Sequence, residues 1–428
     1  MAELSYQIPS AGRAKRIMRI PESHALYLCP NSCGRRQGIR ALRNGVADHA
    51  SFLRFSQTDI VLGDYQNQVV DAVAQLLDAV RPAPRVIMLY VNCIDDFLGT
   101  DEESLLIDLR DRFAPVRFLL SHINPIAADM TRSTARNIHT RLYEALERAN
   151  ARDRAVNFVG NFEAPAPTCE LYAALRALGV SEVRQIVSCE TFRQYLDLAK
   201  SDFTISLSHL GDDAAALMEE RFSIPSMSWH ATYDMDEIDR RYAELAQFLA
   251  LRRGDPVEAL DWKERFEAAL IRVVAPARRA AESALSVARA AVGNLPVMVD
   301  SSASLMPFSL ALALLGEGFN VVAVFGFHLK GCDDAAERHL LQHFPQVRVI
   351  RAESHQVIQG YGLPEDCLSI GTDAAFLVRA QHVIDMYHDE GFLGFQGVER
   401  LAWAMVGAVA CADGGTGANA SRAARSGA

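Results

Sequence analysis

Short apolar runs alternate along this chain with longer stretches in which apolar residues recur every three or four positions. Short runs bounded by turn residues predict buried strands, and a 3.6-residue period predicts amphipathic helices. The stretch from Val69 to Val80 keeps the helical period until Arg81-Pro82 ends it, and the apolar run Val86 to Val91 follows as a strand. Because strand and helix continue to alternate, we expect mostly parallel sheets joined by right-handed crossovers.

The alternation is interrupted between Met235 and Ala291, where the sequence is rich in Ala, Arg and Glu and has no strand signal. We therefore predict an α/β protein of three Rossmann-like parallel-sheet domains around a central cleft, with a helical connector before the third. The predicted parts are 1–150 for the first domain, 151–255 for the second, 256–292 for the connector, 293–412 for the third domain with its closing helix, and 413–428 for a disordered tail. After the loop at Ser121, a polar helix is expected to run to about Ala149.

Composition narrows the possible functions. The net charge of −10 and the pI near 5.7 give no support for a nucleic-acid partner. Eight scattered cysteines do not form a secreted disulfide framework, and the N-terminus lacks the apolar core of a signal peptide. The apolar stretch Leu305 to Phe327 is divided by Glu317-Gly318, which favours buried core over a membrane span. We expect a soluble, cytoplasmic protein without a membrane partner.

Cysteines lie at the ends of two predicted strands. The segment Cys29-Pro30-Asn31-Ser32-Cys33 follows the apolar run Ala25 to Leu28, and Cys93 follows the run Val86 to Val91. Open α/β sheets bind ligands outside the carboxyl ends of their strands, and Pro30 suits the first turn of a helix whose N–H groups favour anions. We interpret Cys29 or Cys33, together with Cys93, as thiolate ligands of an iron–sulfur cluster. The alternative is that these cysteines fill the core, as free cysteines commonly do.

Two histidines are candidates for contact with a substrate or with a second metal centre. His209 follows the predicted strand Phe203 to Leu207, and His388 precedes a glycine-rich segment near the end of the chain. A neutral imidazole can bind a metal or transfer a proton. The alternatives are helix capping for His209 and loop packing for His388. If His388 is functional, we expect the loops after Leu207 and Val299 to lie beside it.

The other cysteines follow no metal-binding spacing, and no G-x-G-x-x-G or P-loop pattern predicts a nucleotide site. We interpret these cysteines as structural: Cys169, Cys189, Cys332, Cys367 and Cys411. Arg35 and Arg36 follow Cys33 and are candidates to offset the charge of a cluster or to bind acidic residues of a partner.

The order of several motifs resembles nitrogenase component 1 and its relatives over nearly the whole chain. That family has a cysteine after its first strand and a second cysteine in a C-x₅-G-x-D segment, which here is Cys93 to Asp101. Glu219 to Pro225 resembles the E-E…I-P turn of the family's second domain. His388 to Gly397 resembles its histidine followed by a glycine–aromatic–x–glycine element.

The resemblance implies one subunit of a nitrogenase-like, ATP-dependent reductase. An interface iron–sulfur cluster, either 4Fe–4S or a P-cluster-like 8Fe–7S cluster, is implied at Cys29, Cys33 and Cys93, with a substrate-reducing site near His388 and His209. The implied partners are a homologous sister subunit in a heterotetramer, a nitrogenase-reductase-like ATPase as electron donor, and a small-molecule substrate.

The sequence departs from the nitrogenase pattern in two places. No cysteine precedes Cys29, and none lies near Ser206 to His209, where nitrogenase holds its catalytic cofactor. We therefore expect a relative of nitrogenase, with the C–S-cleaving methylthio-alkane reductases as the specific candidates. The alternatives are a non-catalytic scaffold for iron–sulfur cofactor assembly, a tetrapyrrole-reductase-type subunit, and an α/β small-molecule-binding or glycosyl-transfer protein with structural cysteines.

Overall fold

The computed structural model describes residues 17–56, 58–59, 65–92, 99, 101–123, 134–252, 256–326, 331–351, 354–355 and 360–412. Two compact units are present. The first unit comprises the described residues of 14–162 together with 181–229, and the second comprises 163–180 together with the described residues of 230–428. The predictions for Cys93 and for the tail at 413–428 fall outside the described residues. The predicted domain boundaries stay a prediction.

A four-stranded parallel sheet in the first unit has the strand order β2–β1–β3–β4. Its strands are β1 (Ser23–Cys29), β2 (Ala50–Arg54), β3 (Val86–Asn92) and β4 (Arg117–Ile123). Every position of β3 is buried, as expected for a central strand covered on both faces. The associated helices are α1 (Asn31–Arg43), α2 (Tyr65–Ala79), α3 (Glu102–Arg112) and α4 (Thr134–Arg141).

Helix α4 is shorter than predicted, because it ends at Arg141 and does not reach Ala149. Four of the next five side chains are buried: Leu142, Tyr143, Ala145 and Leu146. One face of a helix cannot bury such a nearly continuous run, and the backbone instead forms turns with i→i−3 hydrogen bonds. The Arg117 guanidinium donates to the Ala145 carbonyl at 2.6 Å and holds these turns against β4.

The second sheet also belongs to the first unit, and its four parallel strands have the order β6–β5–β7–β8. They are β5 (Val156–Val159), β6 (Val183–Arg184), β7 (Phe203–Ser206) and β8 (Ser226–Ser228). The intervening helices are α5 (Glu170–Ala177), which belongs to the second unit, α6 (Phe192–Asp197) and α7 (Asp212–Phe222). A shared apolar core joins the two sheets, with Tyr90 and Leu119 from the first and Val159 from the second.

The second unit contains a five-stranded parallel sheet with the order β11–β10–β9–β12–β13. Its strands are β9 (Val297–Asp300), β10 (Val321–Phe325), β11 (Arg348–Ile350), β12 (Leu368–Ile370) and β13 (His382–Ile384). The strand order reverses between β9 and β12, and such a reversal is where open α/β sheets usually bind ligands.

Helices of the second unit surround this sheet and extend from it. They are α8 (Met235–Ala250), α9 (Pro256–Val292), α10 (Pro307–Gly316), α11 (Asp334–His343), α12 (Thr372–Val378) and α13 (Gly394–Ala412). The helical character predicted between Met235 and Ala291 is confirmed by α8 and α9. Three parallel sheets with their helices confirm the predicted α/β class. In the ranges that the structure describes, no helix is both long and apolar enough to cross a bilayer.

Candidate functional site

The carboxyl ends of β1 and β3 lie side by side. Cys29 is the last residue of β1, and Asn92 is the last residue of β3. The parallel register pairs Tyr27 with Tyr90, which places Cys29 beside Asn92 on a strand about 4.8 Å away. The Asn92 side-chain amide donates to the Leu28 carbonyl at 2.5 Å and ties the two strand ends together. Asn92 is the last described residue before Cys93, and it is fixed next to Cys29.

Cys29 and Cys33 differ in exposure. The Cys29 side chain is buried, and its sulfur packs against Gly34, where an added Cβ would lie 3.0 Å from Sγ. Cys33 is exposed on α1, and neither cysteine forms a disulfide. The missing side chain at Gly34 therefore allows α1 to lie over Cys29 while Cys33 faces outward. Of these two thiols, Cys33 is the one that a group outside the chain can reach.

The outer face of α1 combines positive charge with apolar surface. Arg35 and Arg36 are exposed, and the side chains of Ile39 and Leu42 are 44% and 69% exposed. A surface of this kind suits a partner that is negatively charged or that holds an anionic group.

The residues at this sheet edge suit an iron–sulfur cluster. Thiolate sulfur is the usual protein ligand of such clusters, and the first-turn N–H groups of α1, which begins after Pro30, favour an anionic group. A cluster of this class takes about four protein thiolates or more, whereas Cys29, Cys33 and Cys93 supply at most three. The donor set therefore fits part of the ligand set of such a cluster.

His209 lies in the loop between β7 and α7, as the sequence predicts. Its Nδ1 is 3.4 Å from the Asp212 Oδ2, and the His209 side chain is 23% exposed. The hydroxyl of Ser206, the last residue of β7, lies 2.8 Å from the Asp212 Oδ1 and 2.9 Å from the Ser208 carbonyl, and its one hydrogen is shared between these two acceptors. A serine, a carboxylate and an imidazole therefore meet at the carboxyl edge of the second sheet.

His388 lies in the second unit, in a loop that hydrogen bonds hold against the loop after β9. The His388 backbone N–H donates to the Ser302 carbonyl at 2.9 Å, and the Asp389 N–H donates to the Ala303 carbonyl at 2.8 Å. The His388 ring stacks on Tyr387 with 4.1 Å between ring centroids. Of the two loops expected beside His388, the one that follows Val299 is therefore in contact with it, and Ser301 belongs to that loop.

Asp300, the last residue of β9, occupies the reversal point of the third sheet. Its carboxylate is fully buried and accepts backbone hydrogen bonds from Ser302 (2.7 Å), Ala303 (3.2 Å) and Ala374 (2.7 Å). The Ser302 hydroxyl also donates to this carboxylate and receives the Thr372 N–H at 3.2 Å. The Asp300 carboxylate therefore lies at the crevice between β9 and β12, and its hydrogen bonds hold the start of the loop beside His388.

Asp389 carries a strongly perturbed carboxyl group. It accepts hydrogen bonds from the Tyr233 hydroxyl at 2.8 Å, the Ser304 hydroxyl at 3.0 Å and the Leu305 N–H at 3.0 Å. Burial nevertheless raises the pKa of Asp389 from 3.8 to about 6, because loss of water disfavours the charged form more than these donors favour it. The fold therefore binds a proton at Asp389 more tightly than the unfolded chain does.

Asp389→Asn is expected to flatten the dependence of stability on pH. The stabilising contribution of protonated Asp389 is complete below about pH 4 and is lost as the pH rises through about 6. Wild-type stability should therefore fall by roughly 1–3 kcal/mol across this window from this group. Asparagine keeps an acceptor for Ser304 and Leu305 and does not ionise. Urea unfolding at several pH values measures the slope, and an unchanged slope in the variant contradicts the assignment.

Glu170 holds the start of the closing helix α13. Its carboxylate accepts the Phe395 N–H at 2.6 Å, the Gln396 N–H at 3.1 Å and the Tyr242 hydroxyl at 2.9 Å. A carboxylate at a helix N-terminus satisfies N–H groups that lack an intrahelical acceptor. This contact fixes the segment that follows His388 in the sequence.

Three of the cysteines interpreted as structural have surroundings that favour the neutral thiol. Burial raises the pKa of Cys169, whose Sγ lies 3.5 Å from the Leu393 carbonyl, and it raises the pKa of Cys189 and Cys367 to about 11. Because a metal ligand must be the thiolate, these values support the structural interpretation. The side chain of Cys411 lies outside the described residues.

Sequence reasoning did not find the buried carboxylates Glu170, Asp300 and Asp389. Asp300 had a visible signal, because it ends an apolar strand and precedes two serines. Glu170 and Asp389 had none, because their partners lie 225 and 156 positions away in the sequence.

A comparison with protein families identifies the class of this chain. Residues 15–410 match the family model of the nitrogenase component 1 type oxidoreductases. The chain belongs to this family, and the resemblance seen in the sequence is confirmed.

Solved structures agree on the fold. The structure described as "Nitrogenase Cp1 at pH 6.5" is similar with a TM-score of 0.69 and 14% identity, covering 96% of this chain and 95% of that one. The structure described as "Nitrogenase Cp1 at pH 5" has a TM-score of 0.60 and 13% identity, covering 91% and 85%. A search of curated protein sequences gave no match. Proteins of this family typically bind metal–sulfur clusters and work in multi-subunit complexes with a reductase component.

Proposed function

We propose that this chain is one subunit of a nitrogenase-like, ATP-dependent reductase and holds part of an iron–sulfur cluster at the interface with a homologous sister subunit. The cluster, either 4Fe–4S or P-cluster-like 8Fe–7S, stores and transfers electrons when bound. Cys33 and Cys93 are its ligands from this chain, and Cys29 is either a third ligand or packing under α1.

One observation carries this proposal: an exposed thiol, Cys33, stands on a helix that begins at the strand end next to the one preceding Cys93. The exposed Arg35 and Arg36 place positive charge beside this thiol and favour anionic groups there. Because three cysteines do not complete the ligand set, the remaining thiolates come from the sister subunit. The proposed assembly is a heterotetramer, a dimer of unlike pairs, with a nitrogenase-reductase-like ATPase as the electron donor.

For substrate reduction we propose a site that uses His209 or His388, with the methylthio-alkanes as the substrate class. Cleavage of the C–S bond consumes two electrons and two protons and converts R–S–CH₃ into R–H and CH₃SH. The ATPase supplies the electrons, and a histidine imidazole is a suitable donor of a proton. The absence of cysteine from Ser206 to His209 supports a reductase other than nitrogenase itself.

Anaerobic co-expression with the sister subunit and the ATPase tests the proposal. We expect a brown heterotetramer that releases methanethiol from a methylthio-alkane only when the ATPase and ATP are present. Omission of ATP and omission of the sister subunit are the controls. An iron-containing complex that transfers its metal to another protein without turnover would favour the assembly scaffold. ATP-dependent reduction of a tetrapyrrole would favour a tetrapyrrole-reductase-type subunit.

A further inference from the structure

Helix α11 carries two exposed histidines one turn apart near its carboxyl end. His339 and His343 are four positions apart in this helix, and both side chains are exposed. Residues at positions i and i+4 of a helix lie on the same face. The two imidazole rings are stacked, with 4.2 Å between their centroids and 24° between their planes. The helix therefore brings two imidazoles together on the surface of the second unit, where ions in solution can reach them.

The His343 ring is held in one tautomer by the backbone of its own helix. Its Nδ1 lies 3.1 Å from the His339 carbonyl oxygen. A carbonyl oxygen can only accept a hydrogen bond, so Nδ1 carries a proton and the lone pair of the neutral ring is on Nε2. Histidines that bind metals usually donate their other ring N–H to a carbonyl or a carboxylate, which fixes the ring and makes the ligating nitrogen more basic. His343 therefore already has the hydrogen bond that a metal-binding histidine needs.

His339 can complete a chelate with His343. Two nitrogens that each bind one ion at about 2.0–2.1 Å must lie within about 4 Å of each other, and rings stacked at 4.2 Å are close to this separation. The His339 ring makes no hydrogen bond to any described residue, so rotation about its broad χ2 torsion can turn its Nε2 toward an ion bound by His343. The same i, i+4 pair of histidines on a helix holds zinc in metalloproteases.

The backbone of α11 around the two histidines is anchored. Leu340 is fully buried, and Glu337 forms an ion pair with Arg351. His343 is the last residue of the helix, and the partial negative charge of a helix carboxyl end favours a cation there. Because the backbone already holds the two ligands one turn apart, little conformational freedom is lost when an ion binds both.

We propose that His339 and His343 form a surface site for a divalent transition-metal ion of the class that prefers imidazole, namely Ni²⁺, Cu²⁺ or Zn²⁺. Both residues bind the ion through Nε2, and water fills its remaining positions. Imidazole nitrogen suits these ions, whereas Mg²⁺ and Ca²⁺ prefer oxygen ligands. The site uses no cysteine, and it does not depend on the proposed cluster or on the proposed reductase activity.

Titration of the full chain with Ni²⁺, followed by calorimetry, tests the site near pH 8, where an ordinary imidazole is neutral. The difference between the wild type and each variant separates this site from other Ni²⁺ ligands of the chain. His339→Gln and His343→Gln are each expected to weaken the binding of one Ni²⁺ by about 10-fold or more, because the second imidazole binds intramolecularly at a high effective concentration. The double variant should lose little more than either single variant, and Mg²⁺ should not bind to the pair.

His355→Gln is the matched control. His355 is also an exposed histidine of the second unit, and the residues four positions away, Arg351 and Gln359, are not histidines. We expect its replacement to leave the Ni²⁺ affinity unchanged. Circular dichroism before each titration shows whether the variants keep the fold.

Wild-type Ni²⁺ affinity in either His339→Gln or His343→Gln would overturn the proposal, because a single imidazole would then be enough. Nuclear magnetic resonance of the chain labelled with ¹⁵N-histidine identifies the ligating atoms, and the two variants assign the signals. Zn²⁺ is expected to shift the Nε2 signals of both residues. Shifts at Nδ1 instead, or only at other histidines, would also overturn the proposal.

Discussion

Cys33→Ala is expected to remove most of the iron from the complex of this chain with its sister subunit. The Cys33 thiol is exposed on α1, so its replacement removes a ligand without opening a cavity in the core. Cys93→Ala is expected to act in the same way. Iron and acid-labile sulfide, measured per complex after anaerobic purification, give the result, and circular dichroism shows whether the α/β fold is intact.

Alanine variants of two other cysteines are compared with Cys33→Ala for their loss of iron. Cys189→Ala removes a partly exposed thiol of the same unit whose pKa burial raises to about 11, and we expect unchanged iron. Cys29→Ala separates the two roles left open for Cys29, because a ligand loses iron on substitution and a packing residue loses only stability. A Cys33→Ala complex with full iron and intact colour would show that Cys33 is not a ligand of the cluster.

Gly371→Ala is expected to destabilise the second unit by about 3 kcal/mol or more. Gly371 has φ of +111°, and an added Cβ would lie 2.2 Å from the Asp300 Oδ1, which is fully buried. The methyl group must therefore displace a carboxylate that accepts four hydrogen bonds from its own chain. Chemical denaturation of the full chain measures the loss.

Gly318→Ala controls for backbone strain alone. Gly318 also has a positive φ, +83°, but an added Cβ there has no heavy atom within 4 Å. We expect Gly318→Ala to lower the free energy of unfolding by only about 1 kcal/mol. Equal losses at the two glycines would mean that the contact with Asp300 contributes nothing beyond backbone conformation.

The class of fold could be predicted from the sequence because its signals are local. The run Val86 to Val91 is buried along its whole length in β3, and the helical period ending at Val80 corresponds to α2 (Tyr65–Ala79). The same reasoning failed after Arg141, where consecutive side chains are buried by turns that pack on both neighbouring sheets. A helical period of apolar residues indicates burial of one face of a helix, and it does not indicate side chains that are buried on several sides.

The candidate site could be predicted in part, because some of its residues also have local signals in the sequence. Cys29, Cys33 and His209 could be located because each follows a strand, and strand ends define the ligand edge of a parallel sheet. Asp212 gave no signal of its own. One oxygen of its carboxylate faces the Ser206 hydroxyl, and the other faces the His209 ring. Contacts of this kind depend on which oxygen faces which neighbour, and a sequence does not record that.

We propose that this chain supplies some of the thiolates of a cluster that a second subunit completes. The most direct test is the iron content of the anaerobically purified chain, compared with that of its complex with the sister subunit, with the mass of each species determined in the same experiment. We expect little or labile iron in the isolated chain and a full, stable complement only in the heterotetramer. A stable monomer that carries a full complement of iron would contradict it.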